Sequence, residues 1–118
     1  MASILVVDDS PIVRTLVAMS LSEEGHEVVE AVDGQEFLDI TAGQDFDAIL
    51  LDILMPNKSG VLALREFRER GGSTPVLIIS SKTEASLVDA FAGCETSGHL
   101  LKPLTPQVLV DSIDGLLE

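Results

Sequence analysis

The chain has 118 residues, 46% of them hydrophobic and 23% charged, which is one ordinary globular domain (1–118) able to bury about two thirds of its unfolded surface. Its net charge of −13 is uneven. No Lys or Arg lies between Arg14 and Lys58, while ten acids fall from Glu23 to Asp52. Such a surface excludes nucleic acid and anionic membrane as partners, because phosphate binding needs clustered Lys and Arg.

With four Phe, no Tyr and no Trp, the core must be aliphatic. A single cysteine, Cys94, cannot form an internal disulfide, which fits a reducing compartment and a small buried apolar role. The start Met-Ala-Ser-Ile-Leu-Val-Val-Asp-Asp lacks a basic segment and a long apolar stretch, so no signal peptide is expected. No apolar run approaches the roughly 18 residues of a membrane span. A soluble, cytoplasmic protein is expected.

In chain order, the apolar runs Ser3–Val7, Glu27–Val32, Ala48–Leu51, Val76–Ile79 and His99–Leu101 predict five strands. Their near-continuous apolar character suits parallel strands covered on both faces. The first helix starts at the cap Ser10 and Pro11 and stops at Gly25, with Ile12, Val13, Leu16, Val17 and Leu21 as its apolar stripe. Asp33 and Glu36 have capping-box spacing for a second helix, Gly34 to about Ala42. A third runs from about Val61 to Arg70 and ends at Gly71-Gly72. A weaker fourth spans about Glu84 to Ala92. The fifth opens at Thr105-Pro106 and continues nearly to Glu118.

Five βα units with right-handed crossovers give an α/β, flavodoxin-like doubly wound parallel sheet of order 2-1-3-4-5. In that order strands 1 and 3 are neighbours, and ligands bind at their carboxyl ends. Strand 1 ends in Asp8-Asp9 and strand 3 in Asp52, so three carboxylates converge there. Like charges so close repel unless a cation is present. Few protein oxygens plus waters suit Mg²⁺ (or Mn²⁺) better than Ca²⁺, and no Cys/His cluster suggests zinc. Strand 5 delivers Lys102 to the same edge, followed by Pro103, and strand 4 delivers Ser80 and Ser81. Acids, a divalent cation, a lysine and a hydroxyl in one cleft make a phosphoryl site, with one carboxylate as nucleophile. Each piece alone is commonplace: an Asp pair after a strand is more often a helix cap, and Lys-Pro is usually a turn. Their coincidence at one edge carries the reading.

The segments Ile4-Leu-Val-Val-Asp-Asp-Ser10, Ile49-Leu-Leu-Asp-Ile-Leu-Met-Pro56, Pro75-Val-Leu-Ile-Ile-Ser-Ser81 and Leu100-Leu-Lys-Pro103 resemble those of the response-regulator receiver family, in order and spacing over essentially the whole chain. The resemblance implies two-component signalling. Asp52 is then the acceptor phosphorylated by the phosphohistidine of a histidine kinase or phosphotransfer protein. Asp9 becomes a direct metal ligand, Asp8 a ligand through water, and the Leu54 backbone carbonyl a third protein ligand. Ser80 and Lys102 hold the phosphoryl oxygens, and the bond before Pro103 is cis. A downstream protein is expected on the face of the fourth helix, fifth strand and fifth helix. Such a module is not an enzyme, although it assists its own phosphorylation and dephosphorylation.

Departures from the family pattern are informative. His99 stands where many members carry a Tyr or Phe that swings inward, so it is either a switch reporter or a strand-end histidine. Leu54 is apolar where polar side chains are common, and Lys82 lies across the same opening. Both are expected to modulate the lifetime of the acyl phosphate, Leu54 by limiting water and Lys82 as a mobile cation. Residues 92–98 promise a longer loop than usual. An aspartyl-nucleophile phosphatase needs a second acid two residues after its nucleophile, where Leu54 cannot transfer a proton. A nucleotide module would need a Gly-rich loop where Asp8-Asp9-Ser10 stands. A phosphorylation-dead scaffold would typically lack an acid or the lysine. Stand-alone regulator and portion of a larger protein both stay open.

Overall fold

A computed structural model describes residues 2–53, 59–80 and 98–117. Its elements are β1 (Ser3–Val7), α1 (Pro11–Ser22), β2 (Glu27–Ala31), α2 (Gly34–Gly43), β3 (Ala48–Asp52), α3 (Gly60–Glu69), β4 (Val76–Ser80), β5 (Gly98–Leu101) and α4 (Pro106–Leu117). The helix anticipated near Glu84–Ala92, Cys94 and most of the 92–98 loop lie outside the described residues; α4 is the fifth helix of the sequence reading.

The sheet has the order β2-β1-β3-β4-β5, with every pair parallel. This is the doubly wound arrangement read from the sequence. Side chains alternate across it, since successive strand residues face opposite ways. Leu5, Val7, Ile49 and Leu51 pack toward α2 and α3, in one buried cluster with Phe37, Phe46 and Phe67. Ile4, Val6, Ala48 and Leu50 pack toward α1 and α4, with Val17, Leu21, Leu109 and Ile113. Both faces of β1, β3 and β4 are therefore covered, which explains their unbroken apolar sequences.

Caps place the helix starts where the strands end. Ser10 Oγ accepts from Val13 N–H, Asp33 Oδ1 from Glu36 N–H, Ser59 Oγ from Leu62 N–H and Thr105 Oγ1 from Val108 N–H. Each satisfies a backbone donor that the first turn leaves open. Glu36 also reaches back, Oε1 accepting from Val32 N–H, so the anticipated box closes one residue early. At the other end of α3, Gly71 takes φ +92°, a conformation favoured by glycine, and stops the helix.

One expectation fails. Ile12 is 82% exposed, while Val17 and Leu21 are buried and Val13 and Leu16 half-buried. At about 100° per residue, Ile12 lies about 180° around the helix from Leu21 and cannot share its stripe. Among the described residues no helix is long and apolar enough to cross a membrane.

Candidate phosphoryl and metal site

The register Val7↔Leu51 sets the ends of β1 and β3 level, so Asp8 emerges beside Asp52. Asp8 is fully buried and Asp52 is 5% exposed, whereas Asp9 is open to solvent. One carboxylate oxygen from each of the three lies within 4.8 Å of the others. Opposite ligands of an octahedral Mg²⁺ are about 4.2 Å apart, twice the usual bond, so the spacing needs little adjustment.

Lys102 is the cation that reaches these acids. Its Nζ stands 2.9 Å from Asp8 Oδ2 and 3.4 Å from Asp52 Oδ2. The shorter contact is an ion pair to a fully buried carboxylate oxygen. Burial by itself would lower the Lys102 pKa. Interaction with the Asp8 side chain and the charges of Asp52 and Asp8 together outweigh it and hold the ammonium above its ordinary value of 10.5. Lys102 therefore stays charged through neutral pH, and its stabilising contribution is lost only as pH rises through that elevated value.

The Lys102 ammonium pairs with the two buried members, Asp8 and Asp52, of a three-carboxylate cluster. An all-oxygen donor set with excess negative charge fits a hard divalent cation. The chemistry of the residues present is therefore suited to holding one, with Asp8, Asp9 and Asp52 as its side-chain ligands.

Ser80 ends β4, almost fully buried, and its carbonyl accepts the Lys102 N–H at 2.8 Å, tying the β4 terminus to the residue after β5. The Lys102–Pro103 peptide is cis. His99 sits within β5, half-buried, with its Cα opposite Ile78, two positions before Leu101, which pairs with Ser80. Leu54, Ser81 and Lys82 lie outside the described residues.

Two residues that sequence reasoning passed over support this edge. Gly60 opens α3 against the peptide of Asp52, its N–H donating to the Ile53 carbonyl at 3.1 Å. A Cβ there would overlap the Asp52 carbonyl oxygen and lie 2.9 Å from Ile53 Cα, so only glycine lets helix and strand meet so closely. Arg14 donates to the Asp8 carbonyl at 2.7 Å. Glycine next to a helix start is a faint signal in sequence, and Arg14 gives none beyond being the last base before a long acidic stretch.

The family model for the response regulator receiver domain matches residues 4–114. The chain belongs to the response regulator receiver family. It is 36% identical to the transcriptional regulatory protein ResD of Bacillus subtilis, covering 97% of this chain and 47% of ResD. It is 35% identical to the response regulator MprA of Mycolicibacterium vanbaalenii, covering 97% of this chain and 49% of MprA. The chain thus spans about half the length of these curated relatives. Among solved structures, chemotaxis protein CheY4 of Vibrio cholerae superposes with a TM-score of 0.92 at 31% identity, covering 99% of both chains. Response regulator TrrA of Thermotoga maritima, solved in complex with Mg(2+)-BeF, gives 0.85 at 29% identity, covering 99% of this chain and 100% of that one. Receiver domains of this family are phospho-acceptor signalling modules of two-component response regulators.

Proposed function

We propose that Asp52 of this receiver accepts the phosphoryl group, with Asp8 and Asp9 holding Mg²⁺ beside it and Lys102 and Ser80 receiving the phosphoryl oxygens. The observation that carries this is the pairing of two buried strand-end carboxylates, Asp8 and Asp52, with one lysine ammonium. A donor phosphohistidine of a histidine kinase or phosphotransfer protein presents its phosphorus in line with an Asp52 carboxylate oxygen. The new O–P bond forms as the P–N bond breaks, and the electron pair leaves with the imidazole. Lys102, 3.4 Å from Asp52 Oδ2, neutralises charge on the equatorial oxygens as it develops. Bound Mg²⁺ supplies Lewis-acid charge neutralisation at those oxygens. The family resemblance would add the Leu54 carbonyl as a third protein ligand.

Once formed, the acyl phosphate draws the Ser80 hydroxyl and the Lys102 ammonium into charge-assisted hydrogen bonds. Because the Lys102 N–H is bonded to the Ser80 carbonyl, the ends of β4 and β5 respond together. This biases a two-state equilibrium in the adjoining loops and in the face around β5, the last helix and the helix anticipated before β5, where a downstream protein docks. His99, on β5, reports that state. By their residue types, Leu54 and Lys82 are proposed to modulate the lifetime of the acyl phosphate. The module works in the cytoplasm, assists its own phosphorylation and dephosphorylation, and its acidic surface turns away nucleic acid and anionic membrane.

Treatment with a small phosphodonor and Mg²⁺, read by intact mass, tests the acceptor. Wild type should gain one phosphoryl group and Asp52→Asn none. Unmodified wild type with a competent donor, or equal labelling of Asp52→Asn, would refute it.

A further inference from the structure

Asp8 is held at four points. Its N–H donates to the Ala31 carbonyl at 3.1 Å, and its Oδ1 accepts the Ser10 N–H at 2.9 Å. Its Oδ2 meets Lys102, and its main-chain carbonyl accepts Arg14 Nη1 at 2.7 Å. The last contact comes from α1 and bends back over the turn that carries the acid pair. The same guanidinium donates from Nε to Glu30 Oε1 on β2 at 3.2 Å, and the Arg14 side chain is only 14% exposed. A planar, forked donor can bridge a carbonyl and a carboxylate in fixed directions, which a lysine cannot.

The Asp8 carbonyl belongs to the rigid peptide that joins Asp8 to Asp9. Fixing its direction therefore fixes the plane from which Asp9 departs, which narrows the directions its exposed carboxylate can take to those its own φ and rotamers allow. Glu30 supplies the opposing charge that keeps Arg14 in place, from a strand that contributes no acid to the cluster itself.

We propose that Arg14, steadied by Glu30, is a positioning residue for the divalent-cation site, orienting the Asp8–Asp9 peptide so that the Asp9 carboxylate faces those of Asp8 and Asp52. The inference rests on the reading that these three acids bind Mg²⁺. It has a sign that sets it apart. A guanidinium acting only as a nearby charge would repel the cation, so its removal would tighten Mg²⁺ binding. A positioning guanidinium does the opposite, and partners of metal ligands typically account for about 10–100-fold in affinity.

Calorimetric Mg²⁺ titration of the full chain tests this in wild type, Arg14→Gln, Arg14→Lys and Glu30→Gln, with Asp9→Asn as the site control. Amide hydrogen exchange at Asp9 and Ser10 is followed in the metal-free protein. Both Arg14 variants should bind Mg²⁺ about tenfold more weakly, at the lower end of that range because every ligand is retained. Glu30→Gln, whose amide oxygen still accepts, should lose less. Exchange at Ser10, whose N–H donates to Asp8 Oδ1, should quicken in both Arg14 variants without metal, which in Arg14→Lys no change of bulk charge explains. Should Arg14→Gln fail to fold, Arg14→Lys, which keeps length and charge, carries the test. Tighter binding in Arg14→Gln, wild-type affinity in Arg14→Lys, or unchanged Ser10 exchange overturns the positioning role. Wild type that takes up no Mg²⁺, or that Asp9→Asn matches, overturns the metal reading and this proposal with it. Wild-type binding equalled by both Arg14 variants overturns this proposal alone.

Discussion

At the carboxyl ends of its strands this receiver buries carboxylates; at their amino ends it satisfies carbonyls with arginine. Asp8, Asp52 and Lys102 occupy the first pole, beside the capped starts of α1 and α3. At the second, Arg68 donates to the carbonyls of Gly72 and Thr74, and Arg70 reaches the carbonyl of Leu38 midway along α2. Helix N-termini present N–H donors and favour negative charge, while C-termini present carbonyls and favour positive charge. The polarity of the βα unit thus sorts charge between the poles. A cavity of about 500 Å³ opens beside Phe46, Phe67 and Arg70 at the amino pole, yet the convergent ionisable groups sit at the other. What distinguishes the carboxyl pole is excess charge of one sign, the feature on which the proposed cation site rests.

Substitutions at the two poles should therefore separate chemistry from stability, beginning with the largest effect. Gly60→Ala forces a methyl group into the Asp52 backbone, where neither helix start nor strand can yield cheaply. It should cost about 3 kcal/mol in urea unfolding and slow phosphodonor labelling of Asp52. Wild-type labelling would show that the acceptor does not depend on this close approach. Lys102→Met leaves Asp8 and Asp52 buried without their cation. Losing one partner of a fully buried pair costs about 3–5 kcal/mol, but Lys102 is 23% exposed, so about 2 kcal/mol is expected in metal-free buffer. Added Mg²⁺ should restore most of it, and a melt insensitive to Mg²⁺ would contradict a shared cation site. Arg68→Ala should cost about 1 kcal/mol, because two carbonyls lose a donor, and should leave Mg²⁺ affinity and labelling untouched. An altered labelling rate there would mean that the poles are coupled.

The strands were legible to within a residue at each end: β1, β3 and β4 because burial on both faces leaves them as uninterrupted apolar runs, and β2 and the shorter β5 because turn residues bound them, although exposed positions such as Glu27, Glu30 and Leu101 break their burial. Gly98 and Ser80 joined their strands only through pairing, which local sequence does not report. Helix starts were readable where Ser10, Asp33 and Thr105 announce them; the Ser59 cap was passed over, and α3 begins one residue earlier than anticipated. Ile12 was misassigned because apolar identity was given more weight than angle around the helix. The acids and Lys102 could be brought together from strand order alone. Gly60 and Arg14 could not, since one matters through space that a Cβ would fill and the other through a long side chain that doubles back.

The order of apolar runs, caps and strand-end acids by itself determined the doubly wound sheet and the edge at which its charged residues meet, because strand alternation and crossover handedness leave few arrangements. Tertiary structure alone decided how those charges are held. Lys102 divides itself between Asp8 and Asp52, Arg14 ties the Asp8 carbonyl to Glu30, and α3 lies against the Asp52 peptide. Those are distances between residues far apart in sequence, set by packing within a few tenths of an ångström, and no local pattern encodes them.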